Sequence, residues 1–212
     1  IGSAPYLPVP QQWAKRYEAL RLAKEEYGLC GLMENHHYGW MPSFLDLLAK
    51  NAFTTNRMPD DELLESIAKR DWGDHYREVM GAWRLFSEGI SHVIACSLDQ
   101  YGPYRCGPSY PLTFTQTKKD LSFPSAPWAW QKGFGIWNPI YADPVLPNVD
   151  NSLMRLRHVE TVTDCFRRGV ETLKGILAND PLKVSNTCKE QVAVAEYIYC
   201  CYVTAINVMR WN

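Results

Sequence analysis

The chain has no long apolar run. Its best candidates, residues 90–96 and 193–206, are broken by His, Glu, Tyr, Thr and Asn. A membrane-spanning helix needs roughly 18 or more consecutive apolar residues, so no membrane role is expected. Charge of one sign is missing too. Lys and Arg number 22 against 23 Asp and Glu. Without a basic stripe, nucleic-acid binding has no electrostatic support. The seven cysteines contain no CxxC pair, and the closest two are the vicinal Cys200 and Cys201. A disulfide scaffold and a zinc site are both disfavoured, and the thiols read as mostly buried in a reducing, cytoplasmic compartment. No signal peptide is visible. The first residue is Ile1, which reads as a fragment or a processed product, with a missing N-terminal portion or a homo-oligomer left open.

What is present is mostly helical patterning. Trp13, Tyr17 and Leu20 recur at three and four after Pro10, and Gly28 follows as a stop; the spacing predicts a helix over 10–27. Leu29 to Glu34 is a short apolar run after a helix and a glycine, which reads as a strand buried on both faces. Pro42 opens a second helix that runs through Phe53. Pro59, with Asp60, Asp61 and Glu62 at the positive end of the helix dipole, opens a third that Gly73 stops. Val79, Trp83, Phe86 and Ile90 share one face of a fourth, over 75–96. Leu156 to Leu177 keep the same spacing in a helix over 153–178. Pro181 then interrupts, and a last helix covers 184–211.

Residues 97–150 differ. They hold eight of the fourteen prolines and little regular patterning. A loop of that length is uncommon unless it is functional. The expected fold class is therefore mainly α: a helical bundle with one or few short strands. Residues 1–40 read as the tail of an α/β, barrel-like unit. Residues 41–212 read as a helical domain carrying the long aromatic loop.

Three stretches carry chemistry. "GLMENHHYGW" (31–40) ends its apolar run on Glu34, Asn35, His36, His37 and Tyr38. A carboxylate at a strand's C-terminal end can act as general acid, base or nucleophile. His36, His37, Tyr38 and Trp40 can hold polar ligand groups and stack on a ring. A His36–His37 metal site is disfavoured, because adjacent strand residues face opposite sides. In "SLDQYGPYRCGPSYPL" (97–112), Asp99, Gln100, Tyr101, Arg105 and Tyr110 alternate with Gly and Pro. That suits a rigid loop facing a ligand rich in hydroxyls, or a well-packed loop with Arg105 paired to a carboxylate. In "PSAPWAWQKGFGIWNPIY" (124–141), Trp128, Trp130 and Trp137 fall within ten residues. Indole faces bind sugar rings, cations or other proteins, and they also build satellite cores. Arg84 and Glu88, four apart, read as an ordinary helix-surface pair. His75, His92 and His158 read as isolated.

"GLMENHHYGWMPSFLDLLAKNAF", "EVMGAWRLFSEGISH", "DQYGPYRCGPSYPL" and the closing "AEYIYCCYVTAINVMRWN" together resemble the C-terminal part of bacterial glycoside-hydrolase-like proteins, a TIM barrel followed by a helical region. The resemblance implies a sugar-binding cleft at the strand C-termini. Glu34 and His36 would lie on the last barrel strand, and Asp99 to Arg105 on a loop over the cleft. It implies a hydrolase with Glu34 and Asp99 as the catalytic carboxylates, a carbohydrate ligand, and no cofactor or metal. The departure is size: a barrel takes about 250 residues, and this chain supplies one strand of it. Two further expectations stand beside that one. The chain could be a non-catalytic helical module that binds a glycan or a partner protein through its aromatic loop. It could instead be a structural bundle whose tryptophans form an interface.

Overall fold

The computed structural model describes residues 7–31, 43–93, 149–180 and 185–211. These are mainly helical, and no strand occurs among them. In chain order the helices are α1 (Pro10–Tyr27), α2 (Leu45–Ala52), α3 (Asp60–Trp72), a 3-10 turn (Gly73–His75), α4 (Tyr76–Ser91), α5 (Val149–Asn179) and α6 (Asn186–Trp211).

Local chemistry sets most of the boundaries. Pro10 occupies the first turn of α1, where its missing N–H costs nothing. Gly28 ends that helix at φ 71°, a left-handed conformation glycine adopts without Cβ strain. At the start of α2, Ser43 Oγ accepts the Leu45 amide while Asp46 Oδ2 accepts the Ser43 amide, both at 3.2 Å. This reciprocal cap satisfies donors the helix leaves free, and it moves the start from Pro42 to Leu45. The acidic first turn of α3 and its stop at Gly73 (φ 57°) are as the sequence implies.

Two expectations are corrected. The fourth helix does not run to residue 96. His92 and Val93 donate to Gly89 and Ile90 across i→i−3 spacings of 3.0 and 3.1 Å, and this tightening closes α4 at Ser91. The described part of the expected strand, Leu29 to Gly31, has no regular structure, and Cys30 is exposed. The reason lies in the α1 cap. The Gly28 and Leu29 amides turn back onto the carbonyls of Lys24 and Ala23, so the Leu29 N–H is already committed. The α5 helix also begins earlier than its apolar pattern does, at Val149.

α4 is the axis of the assembly. It packs against α1, α3 and α5, while α6 covers the far side of α5 and touches α3. Val79, Ala82, Trp83, Phe86, Ser87, Gly89 and Ile90 are all buried on α4, whereas α1 buries only Pro10 and Tyr17. The expected faces of the last two helices hold. Val159, Val162, Phe166, Val170 and Leu173 on α5 are buried, as are Val192, Ala195, Tyr202 and Ile206 on α6. Among the described residues no helix is long and apolar enough to cross a membrane.

Candidate functional site

The framework presents two exits that bear on function. The first is the gap between Gly31 and Ser43; the second follows Val93, and the chain re-enters at Val149. Every residue singled out for chemistry falls in those intervals. Glu34, His36, His37, Tyr38 and Trp40 lie outside the described residues. So do Asp99, Gln100, Tyr101, Arg105, Tyr110, Trp128, Trp130 and Trp137. The framework does describe what anchors these segments.

Phe44, the first core residue after the 32–42 interval, stacks on Trp83 of α4 with ring centroids 4.6 Å apart and planes within 8°. Trp83 is fully buried, so this contact fixes the start of α2 to the middle of α4. One turn further along α4 comes Ser87. Its Oγ donates to Gln11 Oε1 at 2.7 Å, and its carbonyl accepts from Gln12 Nε2 at 2.9 Å. These bonds tie the start of α1 to α4, leaving Ser87 a scaffold residue.

At the C-terminal end of α4, beside the second exit, three titratable side chains meet. His92 Nε2 lies 3.0 Å from Glu88 Oε1. The ring of His92, just past α4, and that of His158 on α5 have centroids 5.8 Å apart. The reading of these histidines as isolated is therefore corrected. So is the Arg84–Glu88 pairing, since Glu88 turns to His92 instead. With Nε2 protonated, His92 donates to the carboxylate and keeps Nδ1 as an acceptor. The i, i+4 spacing of Glu88 and His92 was legible; the approach of His158, 66 positions away, needed the fold. His75 is likewise not alone: Glu78 Oε1 is 3.7 Å from it and Asp180 Oδ2 is 4.0 Å away.

Other polar groups serve the framework. Asn51 is buried in the last turn of α2 and bonds the connection to α3. Its Nδ2 donates to the Met58 carbonyl at 2.8 Å and to Asp60 Oδ1 at 3.2 Å, while its Oδ1 accepts the Met58 amide at 2.9 Å. Glu18 on α1 meets Arg21 at 2.6 Å and Arg57 at 2.5 Å. The Arg21 hydrogen bond first, then that of Arg57, holds the Glu18 carboxyl down at about 2. The described cysteines are free. Burial pushes the Cys165, Cys188 and Cys201 thiols up, which keeps them protonated and unreactive. Cys200 and Cys201 part as neighbours on a helix do, one exposed and one buried. Among the described residues no three His, Cys, Asp or Glu side chains converge as a metal would require.

The fold and these anchors define a mainly helical framework built around α4. No family model, curated protein or solved structure matches the chain.

Proposed function

We propose that this protein is carbohydrate-active, part of a glycoside hydrolase in which Glu34 and Asp99 act as the acid/base carboxylates. His36, His37, Tyr38, Trp40, Gln100, Tyr101, Arg105 and Tyr110 contact sugar hydroxyls and rings. Trp128, Trp130 and Trp137 supply stacking platforms. The residue types and pattern of the two segments carry the reading, and the spacing of their anchors is compatible with it. The Phe44–Trp83 stack fixes the return of the first segment. Ser91, where α4 ends, is eight residues beyond Trp83, about 12 Å at the helical rise. Asp99 is six residues past Val93, and an extended chain covers at most about 3.6 Å per residue, roughly 20 Å in all. That reach is compatible with a carboxyl separation of about 5 to 9.5 Å, which hydrolysis of a glycosidic bond uses.

One observation favours a second reading. Ser87 and Asn51 are committed to framework bonds, so these helices act as scaffold for whatever the two segments do. A scaffold of that kind also suits a non-catalytic module that binds a glycan or a partner protein through its aromatic loop.

The experiment is hydrolysis of a panel of chromogenic glycosides by the chain and by Glu34→Gln and Asp99→Asn, with affinity electrophoresis in polysaccharide gels alongside. The hydrolase reading expects cleavage of at least one substrate and a loss of at least about 100-fold in Glu34→Gln. Equal activity of wild type and Glu34→Gln rejects it. Retardation in a gel without cleavage, abolished by Trp130→Ala, selects the module. Neither cleavage nor retardation rejects any carbohydrate role for the chain.

A further inference from the structure

A cavity of about 360 Å³ opens between the C-terminal half of α1 and α2, beside the first exit at Gly31. Leu20, Leu29, Cys30, Gly31, Ala49 and Phe53 line it. The volume falls in the range of small-ligand sites, about 300 to 1,000 Å³. Phe53 stands 51% exposed beside it. Among the described residues Lys24 is the one charged residue on the wall.

That lysine is uncommitted among the described residues. Among the described residues no carboxylate lies within ion-pair distance of it, and its neighbour Glu25 is taken by Arg21. A lysine in the last turn of a helix ordinarily serves the terminal carbonyls. Here the amides of Gly28 and Leu29 already bond the carbonyls of Lys24 and Ala23, at 3.2 and 3.4 Å. An apolar hollow with one spare ammonium on its wall complements a ligand with an apolar body and a single negative charge.

We propose that this cavity binds a medium-chain carboxylate, with the tail against Leu20, Leu29, Ala49 and Phe53 and the carboxylate paired to Lys24 Nζ. The aliphatic tail gains by leaving water, and the ion pair sets the choice of head group. A single ammonium matches a monoanion better than a phosphate dianion.

The test titrates octanoate, octanol and octyltrimethylammonium separately into the isotope-labelled chain, followed by amide and methyl NMR. Octanoate is expected to perturb Leu20, Leu29 and Ala49 saturably. It should bind about fivefold more tightly than octanol, as a partly exposed ion pair supplies, and octyltrimethylammonium should bind most weakly. Lys24→Met should bring octanoate and octanol together. Ala49→Trp, checked for fold by circular dichroism, should abolish binding of both by filling the hollow. If that variant does not fold, Leu20→Phe serves the same purpose from the other wall. Equal affinity for octanoate and octanol in the wild type overturns the proposal, as does octanoate binding that survives the filled cavity. Sedimentation as a dimer that octanoate does not dissociate would assign the groove to a second copy and also overturn it.

Discussion

The seam between α4 and α5 and the edge formed by α1 and α2 are held by different physics. At the seam the two backbones approach through glycines. A Cβ on Gly169 would stand 2.3 Å from Phe86 Cε1, and one on Gly89 would stand 2.9 Å from Cys165 Cβ. Phe86 and Phe166 are fully buried and stack at 4.9 Å. At the edge, Trp13 and Leu20 are only partly buried, Phe53 is exposed, and a hollow remains open. Polar links do the work there: Ser87 with Gln11 and Gln12, Asn51 with the Met58 backbone, and Glu18 between two arginines. A close-packed seam has no slack for a larger side chain. An edge held by hydrogen bonds and ion pairs tolerates volume but depends on each donor and acceptor, and on pH.

The sharpest way to break that contrast is Gly169→Ala. Helix propensity alone would favour alanine by about 1 kcal/mol. The overlap with the Phe86 ring opposes it, and Phe86 cannot swing away because Phe166 stacks against it. The overlap should win, with a net loss of about 2 kcal/mol in urea unfolding. Shrinking the ring with Phe86→Leu should remove most of that penalty, so the two changes should couple strongly in a double-mutant cycle. A neutral or stabilising Gly169→Ala would show that the seam is looser than its geometry states.

Asn51→Ala probes the edge in the same way, with a smaller effect. It deletes a side chain that both donates to and accepts from the Met58 backbone. The Met58 amide and carbonyl lose their partner on the buried Asn51. The expected loss is about 1 to 2 kcal/mol in the same urea experiment. It should be additive with Gly169→Ala, because the two sites share no partner. A coupled result would mean that seam and edge unfold as one tightly linked unit rather than by separate physics.

How far the fold was legible follows from the range over which each signal acts. Pro10, Gly28, Pro59 and Gly73 act within a turn of where they stand, and the ends of α1 and α3 fall where they imply. The close of α4 has no such residue. It rests on backbone bonds from His92 and Val93, which no spacing announces. Leu29 looked like the start of a strand because apolar residues after a glycine often are. Its amide is spent on the α1 cap, and that competition between helix cap and sheet ladder is invisible in composition. Arg84 and His92 stand equally far from Glu88, four residues on either side, so spacing alone did not choose between them. The arrival of His158 from α5 is a tertiary fact. For Glu34, Asp99 and the tryptophans of 128–137 the argument remains one of residue type and pattern, to which the framework adds only the anchors.

The smallest expected effect concerns pH, and it belongs to the edge alone. Glu18 accepts from Arg21 and Arg57, and these bonds hold its carboxyl at about 2, well below the roughly 4.3 of a free glutamate. A carboxyl depressed on folding contributes stability that is fully present above its unfolded value. That contribution is lost as pH falls through about 4 toward 2, when protonation removes the acceptor charge from both arginines. Glu18 is 39% exposed and its partners 31% and 27%, so solvent screening leaves only a fraction of the apparent interaction. Wild type minus Glu18→Gln should therefore show a small stability difference at pH 6 that shrinks toward zero near pH 2 and diminishes in high salt. Carbon-detected NMR titration of the Glu18 carboxyl supplies the direct check. A midpoint near 4 would mean that neither Arg21 nor Arg57 holds Glu18 in solution, and that the α1 edge is held by Ser87 and Asn51 without help from this charge cluster.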